Sequence, residues 1–96
     1  MFHHIVLMRF TAATDARFLA EVERYADRIR RELPYVRAYA FVRNAAGRAQ
    51  GYDWAVIAHF DDSAAHDAYQ VSDAHQEMKA YMAPFIADLI ACDAAT

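Results

Sequence analysis

The segment Phe2 to Phe10 is apolar on both faces, and no other feature of this 96-residue sequence narrows the possible folds as much. Read as a strand, it sends Phe2, His4, Val6, Met8 and Phe10 one way and His3, Ile5, Leu7 and Arg9 the other, because side chains alternate across a pleated backbone. Such a strand needs cover on both sides. A chain of this length builds one domain, spanning residues 1–96, with too few helices to cover both faces of its sheet.

The rest of the chain supplies the other elements. Thr14 is read as the N-cap of a helix running through Glu32, on which Phe18, Leu19, Val22, Tyr25, Ala26 and Ile29 recur at helical spacing. Pro34 ends this helix, since the residue before a proline avoids the helical region, and Tyr35 to Arg43 resumes as a strand. Asn44 to Gly51 suits a hairpin loop into a second strand, Tyr52 to Phe60, paired antiparallel with the first. Asp61, Asp62 and Ser63 offer caps for a helix from about Ala64 to Val71; Ser72–Asp73 starts another from Ala74 to about Ala83, and Pro84 ends or kinks it. Ile86 to Asp93 fits either the end of that helix or a last strand, and a strand from about Ala87 is preferred because it completes a four-stranded sheet.

The order β, α, β, β, α, β, with the second helical region broken in two, describes an α+β, ferredoxin-like fold with an antiparallel sheet. Its helices pack on one sheet face. Ile5, Leu7 and their neighbours on the other face would form a large bare apolar patch, so two copies are expected to pack sheet against sheet as a two-fold homodimer, a dimeric α/β barrel.

The net charge of −3 offers no basic face for nucleic acid or an anionic membrane, and neither is expected as a partner. No stretch approaches the roughly 20 apolar residues of a membrane helix, and Met1 to Phe10 is too short for a signal-peptide core, so a cytoplasmic protein is expected. Cys92, the single cysteine, follows Leu89, Ile90 and Ala91 and is expected to be a buried, inert thiol. Phosphate loops, nucleotide fingerprints and Cys-x-x-Cys pairs are absent, and no cofactor is expected.

Three blocks carry a resemblance. His4-Ile5-Val6-Leu7 is followed by Arg9-Phe10; Gly51-Tyr52-Asp53-Trp54 runs into Phe60-Asp61-Asp62; Ala68-Tyr69 precedes Ala74-His75. In this order, and over essentially the whole chain, they resemble the Dabb family of stress-responsive dimeric α/β barrels. The resemblance implies the fold and the dimer. The family includes a plant polyketide cyclase of the olivetolic acid type, whose strand histidine, helical tyrosine and catalytic histidine would fall on His4, Tyr69 and His75. Ser72, Val22 and Ala26 depart from that cyclase's pattern, and Asp73 stands where the family commonly has a proline, so the resemblance does not carry the plant substrate.

The residues support a parallel reading. His4 shares a strand face with Val6 and Met8 and should look into the space between sheet and helices, either as a hydrogen-bonded core-edge imidazole or as a group that orients a substrate carbonyl. His75 lies near a helix start, where the dipole favours the neutral imidazole that proton abstraction requires; the plainer alternative is a cap or surface residue. Tyr69 would hold a developing oxyanion, or else is an ordinary core residue with its hydroxyl at the rim. Val6, Met8, Trp54, Val56 and Met78 complete the expected pocket.

Asp62 and His66, four apart on a helix, fall short of the three or four ligands a zinc site needs and are read as a surface cap and a salt-linked histidine, so no metal site is assigned. His3 should face the dimer side, and His59 is given no function. Tyr35, Tyr39 and Phe41 are assigned to core or interface packing. Three functional expectations follow. One is a non-catalytic dimer holding a small apolar or aromatic ligand. Another is a polyketide-cyclase-like enzyme using His75, Tyr69 and His4 on an enolisable carbonyl. The last is a cofactor-free monooxygenase relying on Trp54 or His75.

Overall fold

A computed structural model describes residues 1–96. It contains β1 (Phe2–Phe10), α1 (Ala16–Glu32), β2 (Val36–Arg43), β3 (Trp54–Phe60), α2 (Ser63–Gln70), α3 (Asp73–Met82), a 3₁₀ turn (Ala83–Phe85) and β4 (Ile86–Ala95). The expected order of elements holds. The sheet is antiparallel throughout, in the order β2-β3-β1-β4, so that β1 lies between β3 and β4.

The N-cap of α1 is Asp15 rather than Thr14: the Asp15 carboxylate accepts from the Phe18 backbone N–H, while the Thr14 hydroxyl donates to the Thr11 carbonyl. A carboxylate at this position also meets the positive end of the helix dipole. Phe18, Val22, Ala26 and Ile29 follow at spacings of three and four and are buried against the sheet. Leu33 ends the helix ahead of Pro34, its N–H still bonded to the Ile29 carbonyl. Arg30 fixes the helix end to the sheet by donating to the Tyr39 carbonyl at 2.8 Å. In the β2–β3 loop Gly51 adopts φ +85°, a region that favours glycine, and a Cβ there would press on the Arg9 side chain.

Phe60, Ile29 and Val22, among the largest fully buried side chains, contribute about 1.5–3 kcal/mol each. The 3₁₀ turn carrying Pro84 separates α3 from β4, and the chain from Ile86 onward is strand, not helix. β4 pairs with β1 from Phe10↔Ile86 to Phe2↔Ala95. All of β4 beyond Ile86 is solvent-exposed in the single chain, including Cys92, whose thiol is therefore not buried as expected. Cys92 lies opposite Ile5 and, with Leu7 and Ile90, borders a shallow apolar depression on the sheet face away from the helices.

Candidate active site

The register of β1 with β4 builds one end of the site. His4 pairs directly with Asp93, and side chains of directly opposed residues lie on the same sheet face. His4 Nδ1 comes to 2.5 Å from Asp93 Oδ1. From the other side α2 supplies His66, whose Nε2 lies 3.2 Å from the same His4 Nδ1. His66 is three residues before Tyr69 and shares its buried face, packed against the rings of Phe2 and Phe60. It is not the salt-linked surface histidine expected from its spacing to Asp62. The Asp62 carboxylate is occupied as the α2 N-cap, accepting from the Ala65 N–H. Burial, and then the neighbouring His4, hold the His66 imidazole below the ordinary histidine value.

The corner between α2 and α3 places the other two groups. The Ser72 hydroxyl donates to the Tyr69 carbonyl at 2.7 Å and accepts from the His75 N–H at 3.2 Å, which ties the end of one helix to the start of the next. The Tyr69 and His75 ring centroids are then 4.3 Å apart. His75 Nδ1 lies 3.1 Å from the Gln70 carbonyl oxygen. A carbonyl only accepts, so the hydrogen sits on Nδ1 and Nε2 carries the free lone pair. Burial is the main cause that holds the His75 imidazole below its usual value, opposed by the Gln70 carbonyl and assisted by Lys79, His4 and His66. The direction is the one expected from the helix start, but its leading cause is burial.

Tyr69 is 1% exposed and its hydroxyl pairs with that of Tyr39 at 2.9 Å. Burial raises the Tyr69 phenol far above the ordinary tyrosine range and pushes Tyr39 up to about 12, so both remain hydrogen-bond donors at neutral pH. Tyr39 belongs to the site and is more than a packing residue. Its alternation with Phe41 marked the face but not the partner across it.

These groups surround a cavity of about 450 Å³ between the helices, β1 and the uncovered edge strand β4. His4, Tyr69 and His75 all line it, as do Val6, Met8, Val56 and Met78 from the expected pocket. Trp54 does not. It lies on the same sheet face but at the far end of β3, stacked on Phe41 with the Arg43 guanidinium over its ring, and so cannot serve the oxygenase reading as a pocket residue. Asp93 went unnoticed in the sequence because it depends on strand register; His66 was placed at the surface, although its three-residue spacing to Tyr69 marks the buried face. His3 and His59, paired across β1 and β3 on the opposite face, form no part of the cavity lining.

Four antiparallel strands, helices on one face and a polar-ended cavity beneath them define a ferredoxin-like α+β domain. The chain belongs to the stress responsive A/B barrel domain family, whose sequence model matches residues 2–95. A dimeric ferredoxin-like protein of unknown function from Thermobifida fusca is 28% identical, with 99% of this chain and 90% of that one covered and a TM-score of 0.85. A hydroxynitrile lyase from Passiflora edulis is 14% identical, with 97% and 90% covered and a TM-score of 0.85. An antibiotic biosynthesis monooxygenase is 13% identical, with 100% and 98% covered and a TM-score of 0.82. At those last two identities the likeness is one of fold alone. Among curated proteins none matches the sequence. No helix is long and apolar enough to cross a membrane.

Proposed function

We propose that the protein acts as a homodimer whose cavity, in each chain, binds a small, largely apolar carbonyl compound and enolises it by general acid–base chemistry. The observation that carries this reading is the tautomer of His75: with Nδ1–H given to the Gln70 carbonyl, Nε2 is an unprotonated base beside a buried phenol. His75 Nε2 takes a proton from the carbon next to the carbonyl. The C–H electron pair moves into the enolate, and the Tyr69 hydroxyl donates to the oxygen that gains charge. For this the Tyr39 hydroxyl, which also has Met78 Sδ as an acceptor at 3.5 Å, turns its hydrogen to Tyr69, and the Tyr69 hydrogen is then free for the ligand. The imidazolium then returns its proton to carbon; alternatively the enolate carbon bonds to a second carbonyl carbon of the same molecule, as in a cyclase, that C=O π pair becomes an alkoxide, and the imidazolium protonates it. His4, held by Asp93, orients the ligand from the strand side.

The apolar part of the lining, from Val6, Met8, Val56 and Met78, suits a ligand with one polar end. The opposite face of the sheet supports the homodimer: Ile57 and Ile90 are exposed there beside the half-buried Ile5 and Leu7. The test is hydrogen–deuterium exchange at the α-carbon of aryl ketones and β-diketones in D₂O, followed by NMR. Catalysed exchange that falls in His75→Ala supports the reading. Tight ligand binding with no catalysed exchange would leave a binding protein and remove the enzymatic role.

A further inference from the structure

We propose that His4, His66 and Asp93 form a binding site for one first-row transition-metal dication per chain, best matched by Zn²⁺. The three side chains come from β1, α2 and β4, and their donor atoms lie within 4.8 Å of one another. His4 and His66 are buried, and Asp93 closes the group from the exposed edge strand. Ligands about 2.1 Å from an ion stand roughly 3.0–3.4 Å apart at right-angled to tetrahedral geometry. The His4–His66 separation of 3.2 Å already fits that range, and the His4–Asp93 separation of 2.5 Å reaches it with a shift of about 0.5 Å.

The count of hydrogens points the same way. His4 Nδ1 carries at most one hydrogen, yet it faces both a carboxylate oxygen and His66 Nε2. If that hydrogen goes to Asp93, His66 Nε2 receives none. If His66 Nε2–H is aimed at His4 instead, a bare Nδ1 faces the carboxylate. In the first case one hydrogen serves two acceptors, and in the second two lone pairs face each other; a cation at the centre would take all three donor atoms at once. Two imidazoles and one carboxylate are a donor set for zinc, cobalt, nickel or iron rather than for magnesium or calcium, which take mostly oxygen. Three protein ligands leave a further coordination position, and His4 and Asp93 both line the cavity from which it would be reached.

The inference does not depend on His75 as a base, and it is read on the unreacted protein. The full-length protein, stripped with chelator, is dialysed against Zn²⁺ or Co²⁺, and bound metal per chain is measured together with the visible spectrum of the Co²⁺ form. One ion per chain is expected, with a Co²⁺ spectrum of nitrogen and oxygen ligation. Asp93→Ala, on an exposed strand, should weaken binding at least about tenfold, since even loss of an outer-shell partner costs that much. His66→Phe, which keeps a ring against Phe2 and Phe60, should do the same. His59→Phe controls for the second histidine pair, His3 and His59 on the other sheet face, and should bind as the parent does. Failure to bind a stoichiometric ion would overturn the proposal, as would undiminished binding in Asp93→Ala or loss of binding in His59→Phe; none of these outcomes touches the exchange assay of His75.

Discussion

The two faces of the sheet are built from alternate residues of the same strands, yet only one is covered by helices, and that one stays open along β4. On the inner face Met8, Val56 and Ala58 are buried under helices, and the polar groups that remain, His4, Tyr39 and Asp93, each have a side-chain partner. On the outer face Ile57 is 36% and Ile90 57% exposed, with the His3–His59 contact at one end. The difference shows where chemistry can be placed. A polar side chain is retained in the interior where another element meets it, and an unmet apolar face is reserved for another molecule.

The comparison breaks most sharply on the outer face. Ile57→Lys puts a charge at the centre of the expected contact, where burial without a partner costs several kcal/mol. Light scattering should give twice the 10.9 kDa chain mass for the parent and a single chain mass for the variant. A monomeric parent would mean that the bare face has another use. On the inner face the expected change is in rate, not assembly. His75→Ala should lower catalysed exchange about 10²–10⁴-fold, the usual contribution of a positioned base. Tyr69→Phe keeps the ring packing and should lower it about 10²–10³-fold, as loss of one oxyanion donor does elsewhere. Both variants should remain dimers, because neither residue reaches the outer face.

How much of this was legible in the sequence differs between local and long-range features. The four strands, the broken second helical region and the inward face of β1 follow from periodicity and prolines, which act over a few residues. The pairing of His75 with Tyr69 was also within reach, since one turn at Ser72 separates their helices. Asp93 was not. It meets His4 only because β4 pairs with β1 in one particular register, and register is set by the bulge at Arg9/Phe10 and by the 3₁₀ turn at Pro84, neither of which a pattern of apolar residues specifies. Trp54 failed for a related reason: alternation gave its face correctly but not its distance along the strand from the cavity. Cys92 was misplaced because an apolar run at a sheet edge looks the same as one in a core.

A smaller effect is expected at the corner itself. Ser72→Ala removes the side-chain cap of α3 and the donor to the Tyr69 carbonyl, a loss of about 1 kcal/mol of stability by denaturant titration. If the cap also sets the Tyr69–His75 geometry, the exchange rate should fall by more than the small population of unfolded protein explains. A rate unchanged beside that loss of stability would make Ser72 a helix cap and nothing further.

The finest distinction concerns Lys79, one helical turn beyond His75 on α3. The active form of His75 is the neutral base, and its folded-state value lies below the ordinary 6.5. Activity should therefore be flat above that ordinary value and fall on the acid side, with an inflection below it. The same depression makes the neutral imidazole part of the folded state's stability: that contribution is complete above 6.5 and is lost as the pH drops through the folded-state value, because the unfolded chain takes up the proton first. Burial is the leading cause, and it does not change when Lys79 becomes Met; the ammonium charge does, and with it one of the groups that disfavour imidazolium. Lys79→Met should thus move the acid limb of the exchange rate toward higher pH while leaving the plateau rate nearly unchanged. A limb that stays in place would show that solvent screens Lys79 from the ring, and that desolvation at the inner face sets the base without help from the rim.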